Sequence, residues 1–327
     1  MRGSLFPHPS GFEPLSDFPD LDALRGGGKP ALARALARLE RGAGSLEAAG
    51  LLDEAEAAPR GEVLGLTGPP GVGKSTLTGG LVKAFRGRGQ TVGVVAVDPS
   101  SMRSGGALLG DRARIATEPG DTGVFIRSYA ARDRLGGLSD LAFGATILMR
   151  ALFDRVIVET VGVGQSEADV AIVGDTVLLA VQPASGDALQ FIKAGVMELP
   201  DVVVVTKSDL GAPARRARDD LESALTLTAG VEAHWSVPVA LVSSETGDGL
   251  DALLGHLSAH SAFLATDGRL ARRRRDQSEA RLKATLKGRF GTEGAKIAAT
   301  LLGKFEGGPF ARETAAANAL KARLVGQ

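Results

Sequence analysis

The chain contains no cysteine, one tryptophan, one tyrosine and a single asparagine, Asn318, and aromatic residues make up only 4% of it. The missing cysteine removes disulfides, thiolate nucleophiles and cysteine-ligated zinc together, and it suits a reducing compartment. Lys+Arg and Asp+Glu both number 38, so the chain has no overall field of one sign. Neither nucleic acid nor a membrane surface is therefore expected as a partner. No apolar run approaches the ~20 residues that cross a bilayer. The N-terminal stretch lacks a basic segment followed by an apolar one, so no secretory signal is expected and the cytoplasm is the expected compartment. What remains is 327 residues at 44% hydrophobic, enough for one large α/β domain with helical additions.

Glycine, in contrast, is abundant at 44 residues, and its placement carries the first functional signal. Gly68-Pro69-Pro70-Gly71-Val72-Gly73-Lys74-Ser75-Thr76 satisfies the phosphate-binding pattern G-x-x-x-x-G-K-[ST] at every fixed position. Gly68, Gly71 and Gly73 let the backbone wrap a polyphosphate and aim its N–H groups at the oxygens. Lys74 supplies a mobile cation for the β- and γ-phosphates, and the Ser75 hydroxyl can complete the shell of a Mg²⁺ ion. The flanks agree: Val63–Thr67 reads as a buried strand, and Ser75–Phe85 as a helix whose N-terminus faces the phosphates. A nucleoside triphosphate is the expected ligand.

Apolar runs rich in Val, Ile, Leu and Ala recur as strands expected at Val63–Thr67, Thr91–Val97, Val124–Arg127, Arg155–Glu159, Thr176–Val181, Val202–Thr206 and Pro238–Val242. Their near-continuous hydrophobicity suits strands covered on both faces, and amphipathic stretches alternate with them. The expected fold is therefore an α/β P-loop NTPase with a mainly parallel, doubly wound sheet, plus N- and C-terminal helical extensions. The division expected is 1–60 for an N-terminal helical extension, 61–265 for the nucleotide domain and 266–327 for a C-terminal helical arm. Leu32, Leu36 and Leu39 form one stripe of a helix expected to pack on the main domain. The run Arg272–Arg275 reads as a solvated helix face rather than an anion or RNA patch. His256 and His260, four apart on a late helix, are expected to face solvent rather than a metal.

Three further motifs refine the ligand. Val202–Val205 runs into Thr206-Lys207-Ser208-Asp209, close to the Asn-Lys-x-Asp guanine motif of GTPases. Asp209 can accept from N1–H and the 2-amino group of guanine, a pattern adenine lacks, and the stem of Lys207 can lie along the purine. Thr206 stands where an asparagine usually braces neighbouring loops. Downstream, Ser243-Ser244-Glu245 ends another apolar strand in small polar residues suited to cradle the base. Glu159-Thr160-Val161-Gly162 mimics the D-x-x-G switch, with Glu159 reaching Mg²⁺ and the Gly162 N–H reporting the γ-phosphate. Asp98 and Asp111 are further candidates for the metal and its water shell. GTP/GDP with Mg²⁺ is thus favoured over ATP. The place after Gly162 holds Val163, with Gln165 the nearest glutamine, so intrinsic hydrolysis is expected to be slow.

Together these residues resemble the GTPase chaperones of adenosylcobalamin-dependent methylmalonyl-CoA mutase, the family that includes the human methylmalonic-aciduria type A protein. The likeness runs from about Ala31 to about Glu279. It is carried by Gly68–Thr76, Ala96–Ser101, Gly110–Arg114, Phe125–Ser128, Leu135–Leu138, Glu159–Glu167 and Ser185–Lys193. Tyr129 and Asp133-Arg134 depart from the family pattern, which bears on partner identity. The resemblance implies a homodimer held by C-terminal helices, with GTP hydrolysis gating cofactor loading and protecting the mutase. It also implies that Ser185–Lys193 is a switch toward that partner. Alternatives are a chaperone of isobutyryl-CoA mutase or another relative, a P-loop kinase or phosphotransferase, and a nickel metallochaperone GTPase, which the lack of cysteine disfavours.

Overall fold

Continuous burial shows why this sequence makes a covered sheet. In Leu178–Val181 and Val202–Val205, successive side chains enter two different cores on opposite faces, as the period of a strand requires. The structure is a computed structural model that describes residues 18–98, 120–130, 138–160, 166–183, 199–228 and 235–325. Among the described residues seven strands, β1 (Glu62–Thr67), β2 (Val92–Asp98), β3 (Val124–Ala130), β4 (Arg155–Glu159), β5 (Thr176–Val181), β6 (Val202–Val205) and β7 (Val239–Leu241), form one sheet in the order β3-β2-β4-β1-β5-β6-β7. Every pairing is parallel. All seven expected strands are present. Edge strand β3 continues three residues past the expected Arg127, because its register with β2 holds to the Asp98–Ala130 pair.

Helices cover both faces. On one side α3 (Lys74–Gly87) and α7 (Leu250–Ala265) bury Leu77, Leu81 and Leu253 against Leu66, Ile157 and Leu178. On the other, α1 (Leu21–Arg41), α2 (Leu46–Ala57) and α4 (Asp140–Leu152) pack on Val63, Val95 and Val156, while α6 (Ala212–Thr228) packs on Val203 and Val205. The leucine stripe Leu32, Leu36 and Leu39 is buried in that layer as expected. α5 (Ser166–Ala171) follows β4 and presses Val170 so close to Gly65 that a Cβ there would lie 2.5 Å from the valine methyl.

The C-terminal part is helical: α8 (Arg269–Leu302), broken at Gly291, and α9 (Pro309–Val325). α9 returns to α2 of the same chain, where Asp53 accepts the Phe310 and Ala311 amides at 2.9 Å and so caps its first turn. The buried Arg281 guanidinium lies between Phe143 and Phe310 and pairs with Glu313 at 2.6 Å. Among the described residues no helix is long and apolar enough to cross a membrane.

Two expectations about polar side chains need correction. Arg272 and Arg275 are exposed, but Arg273 grips Asp201 at 2.9 and 2.7 Å, and Arg274 grips Asp175 at 2.8 and 2.7 Å. The run Arg272–Arg275 is therefore half solvated face and half clamp on the amino edge of the sheet. His260, expected in solvent, is 1% exposed, with Nδ1 2.8 Å from Thr176 Oγ1 and Nε2 3.3 Å from Asp201. Both errors have one source: a helix that packs against strand ends buries polar residues whenever a carboxylate waits there.

Candidate nucleotide site

β1 delivers the chain at Thr67 to the centre of the sheet's carboxyl edge, where the loop Gly68–Gly73 turns into α3. Gly68 adopts φ 142°, and a Cβ there would lie 2.1 Å from the Ala180 carbonyl oxygen, so only glycine fits. Gly71 (φ 77°) and Gly73 (φ 95°) take the left-handed bends that close the loop over the N-terminus of α3. Lys74 is buried, with Nζ donating to the carbonyls of Gly68 (2.7 Å) and Pro69 (3.0 Å). The loop is thus folded around its own lysine, which can exchange these carbonyls for phosphate oxygens. Pro69 O also accepts the Val72 amide at 3.4 Å. Pro70 and Gly71 stand at the exposed crest, and Thr76 lies in the first turn of α3.

Glu159 comes from β4, in register with Leu66 of β1, which places it beside the loop entrance. It is 4% exposed, and its two oxygens accept from Ser75 Oγ and Thr78 Oγ1, each at 2.7 Å. The next residue, Thr160, donates its amide to Leu66 O (3.1 Å) and its hydroxyl to Thr67 Oγ1 (3.1 Å), tying the switch strand to the loop. Ser75 gives its proton to Glu159, and hydroxyl and carboxylate oxygens are the hard donors Mg²⁺ takes. Among the described residues no three His, Cys, Asp or Glu side chains cluster to hold a metal by themselves. Of the described residues singled out for a Mg²⁺ shell, Ser75 and Glu159 stand together and could contribute to one. Asp98 closes β2, next to β4, but its side chain, like Asp111 and Gly162, lies outside what the structure describes. The same holds for Ser185–Lys193.

The base end forms where β6 and β7 stop. Thr206 is buried, and its hydroxyl reaches Val72 O at 2.7 Å and Val181 O at 3.0 Å. One hydroxyl proton shared between the loop and β5 does the bracing expected of the missing asparagine. Lys207 takes a left-handed φ of 54°, which turns its side chain back over the loop, where Nζ donates to Gln182 Oε1 (2.7 Å) and Gly71 O (3.2 Å). Asp209 follows, exposed, in the single helical turn Ser208–Leu210. The Ser208 amide bonds Val242 O (3.2 Å), which brings the β7 turn alongside. In that turn Ser243 is buried and accepts the Thr246 amide at 3.3 Å, while Ser244 and Glu245 are exposed.

The structure thus gathers the loop, Glu159, Thr206–Asp209 and Ser243–Glu245 on one edge. Thr78, Thr160 and Gln182 join them without having been singled out from the sequence. Thr78 alone had a readable signal, a hydroxyl one helical turn after Ser75. On the flank, Asp169 of α5 accepts the Leu138 amide at 3.1 Å, and burial raises its carboxyl above the ordinary range despite that bond.

Comparison with known proteins agrees with this arrangement. A family model described as "Methylmalonyl Co-A mutase-associated GTPase MeaB" matches residues 32–293. A chain of Pyrococcus horikoshii that bears the name of a GTPase is 43% identical over 233 residues, 69% of this chain and 72% of that one. The mouse protein "Methylmalonic aciduria type A homolog, mitochondrial" is 39% identical over 217 residues, 65% of this chain and 52% of that one. The crystal structure of a "LAO/AO transport system kinase" superposes with a TM-score of 0.67 at 31% identity, covering 82% of each chain.

Proposed function

The chain belongs to the MeaB family of methylmalonyl-CoA mutase-associated GTPases, and we propose that it binds GTP on the sheet's carboxyl edge, hydrolyses it slowly, and uses that cycle on an acyl-CoA mutase. The proposed client is adenosylcobalamin-dependent methylmalonyl-CoA mutase, with GTP hydrolysis gating cofactor loading and protecting the loaded enzyme. The observation that carries this reading is the meeting of three motifs in one place: the phosphate loop, Glu159 tied to Ser75, and Thr206 joining the base end to the loop at Val72.

In this reading the loop amides from Gly68 to Thr76 orient the phosphates, and Lys74 leaves the Gly68 and Pro69 carbonyls for the β- and γ-oxygens. Mg²⁺, when bound, neutralises charge on the phosphates; Ser75 and Glu159 would hold it, with Asp98 and Asp111 completing its surroundings. Asp209 reads guanine, Lys207 covers the purine, and Ser243, Ser244 and Glu245 border it. Gly162 reports the γ-phosphate. Val163 in the place after Gly162 supports a slow intrinsic rate that a partner raises. A homodimer through α8 and α9, and a cytoplasmic site of action, complete the proposal.

The test is GTP hydrolysis alone and with methylmalonyl-CoA mutase, with ATP as control. Slow GTP-selective turnover raised several-fold by the mutase is expected. Turnover indifferent to the mutase removes that client and favours a related acyl-CoA mutase. Equal use of ATP, or transfer of labelled γ-phosphate to something other than water, would favour the phosphotransferase that the name of the 31%-identical structure suggests.

A further inference from the structure

Glu159 occupies a place where the switch pattern has aspartate, and the extra methylene brings a problem. A glutamate carboxylate has one more rotatable bond than an aspartate, so its oxygens can swing away from the phosphate loop. The structure meets this with a second tie from the same helix. Ser75 and Thr78 are three residues apart and share the face of α3 turned to β4. Ser75 Oγ takes Glu159 Oε1 and Thr78 Oγ1 takes Oε2, both at 2.7 Å. Thr78 is 0% exposed. A threonine inside a helix commonly turns its hydroxyl to the carbonyl one turn back, but this one is spent on Glu159.

We propose that Thr78 is a positioning residue for hydrolysis, holding the Glu159 carboxylate in register with Ser75 so that glutamate serves where aspartate is usual. The inference rests on the GTPase reading above and deepens it. The choice of a hydroxyl matters. A guanidinium at this place would neutralise the carboxylate, whereas a hydroxyl fixes its direction without cancelling its charge. Ser75 is shared between Glu159 and the proposed metal, so Thr78 supplies the tie that metal binding does not disturb. Its effect should therefore appear in the Mg²⁺-dependent part of nucleotide binding and in turnover, and not in nucleotide binding without metal.

The experiment uses Thr78→Val, nearly isosteric but without a donor, and Thr78→Ser, which keeps the donor. Binding of a fluorescent GDP analogue is measured in EDTA and across a Mg²⁺ titration, together with GTP turnover and thermal unfolding. For Thr78→Val the affinity in EDTA should match the wild type, the Mg²⁺ needed for half-maximal tightening should rise about fivefold, and kcat should fall about tenfold with KM less affected. Thr78→Ser should restore both quantities. In a Glu159→Gln background, Thr78→Val should add little. Equal loss of affinity with and without Mg²⁺, or a Thr78→Val enzyme identical to the wild type, overturns the inference and leaves the GTPase reading standing. A wild-type chain that binds no guanine nucleotide overturns both.

Discussion

Both edges of this sheet bury carboxylates, and they hold them in opposite ways. At the amino edge Asp175, whose side chain is 2% exposed, takes two bonds from Arg274, and Asp201 takes two from Arg273 and one from His260. At the carboxyl edge Glu159 is held by the hydroxyls of Ser75 and Thr78. A bidentate guanidinium cancels the charge and welds α8 to the strand ends. Hydroxyls supply direction without charge, which suits a carboxylate proposed to face a cation. The partner chosen for a buried acid thus separates scaffold from site within one sheet.

Mutation can break this contrast at either edge. Lys74→Ala should produce the largest change: triphosphate affinity should fall at least 100-fold, about 3 kcal/mol, with folding stability nearly unchanged. Retained micromolar affinity in equilibrium binding would sink the role given to Lys74. Asp175→Asn should do the reverse, costing about 3 kcal/mol of stability in denaturant unfolding, because Arg274 then loses its charged partner. GTP affinity should stay within twofold, and a large change there would mean the two edges are coupled.

Asp209→Asn should lower GTP affinity by about 2 kcal/mol and shift preference toward xanthine nucleotides, since an acceptor pair becomes half donor. Unaltered GTP binding would place guanine recognition elsewhere. Thr206→Val should cost about 1 kcal/mol by stripping a donor from the Val72 and Val181 carbonyls, with a several-fold loss in nucleotide affinity; Thr206→Asn should retain both. The smallest effect is in acid. Burial works to raise the Asp201 carboxyl, but the His260 and Arg273 bonds outweigh it and hold its pKa below the ordinary range. Its contribution is therefore full above about pH 4 and lost as pH falls through the lowered folded value. Asp201→Asn should flatten the stability profile below about pH 4, and an unchanged slope would contradict the ion pairing.

The strands and the phosphate loop were legible because their signals are local. Arg155–Glu159 and Thr176–Val181 announce themselves as unbroken apolar runs, and the Gly68–Ser75 spacing carries its own geometry. The arginine run was misread because its partners, Asp175 and Asp201, lie 99 and 72 residues upstream. Nothing near Arg273 or Arg274 in the chain distinguishes them from exposed Arg272 and Arg275. His260 was misread for the same reason, its partners Thr176 and Asp201 being distant in sequence.

What the sequence determined by itself was local: a phosphate-loop pattern, the Thr206–Asp209 motif proposed to read guanine, and parallel strands to carry them, since each depends on neighbours within a few residues. Only the tertiary structure decided how the pieces serve one another. It gave Thr206 the work of the absent asparagine, set Thr78 against Glu159, and closed α9 on Asp53 of α2. Such pairings join side chains that sequence separates and the sheet order brings together, and a hydrogen bond requires that proximity in space.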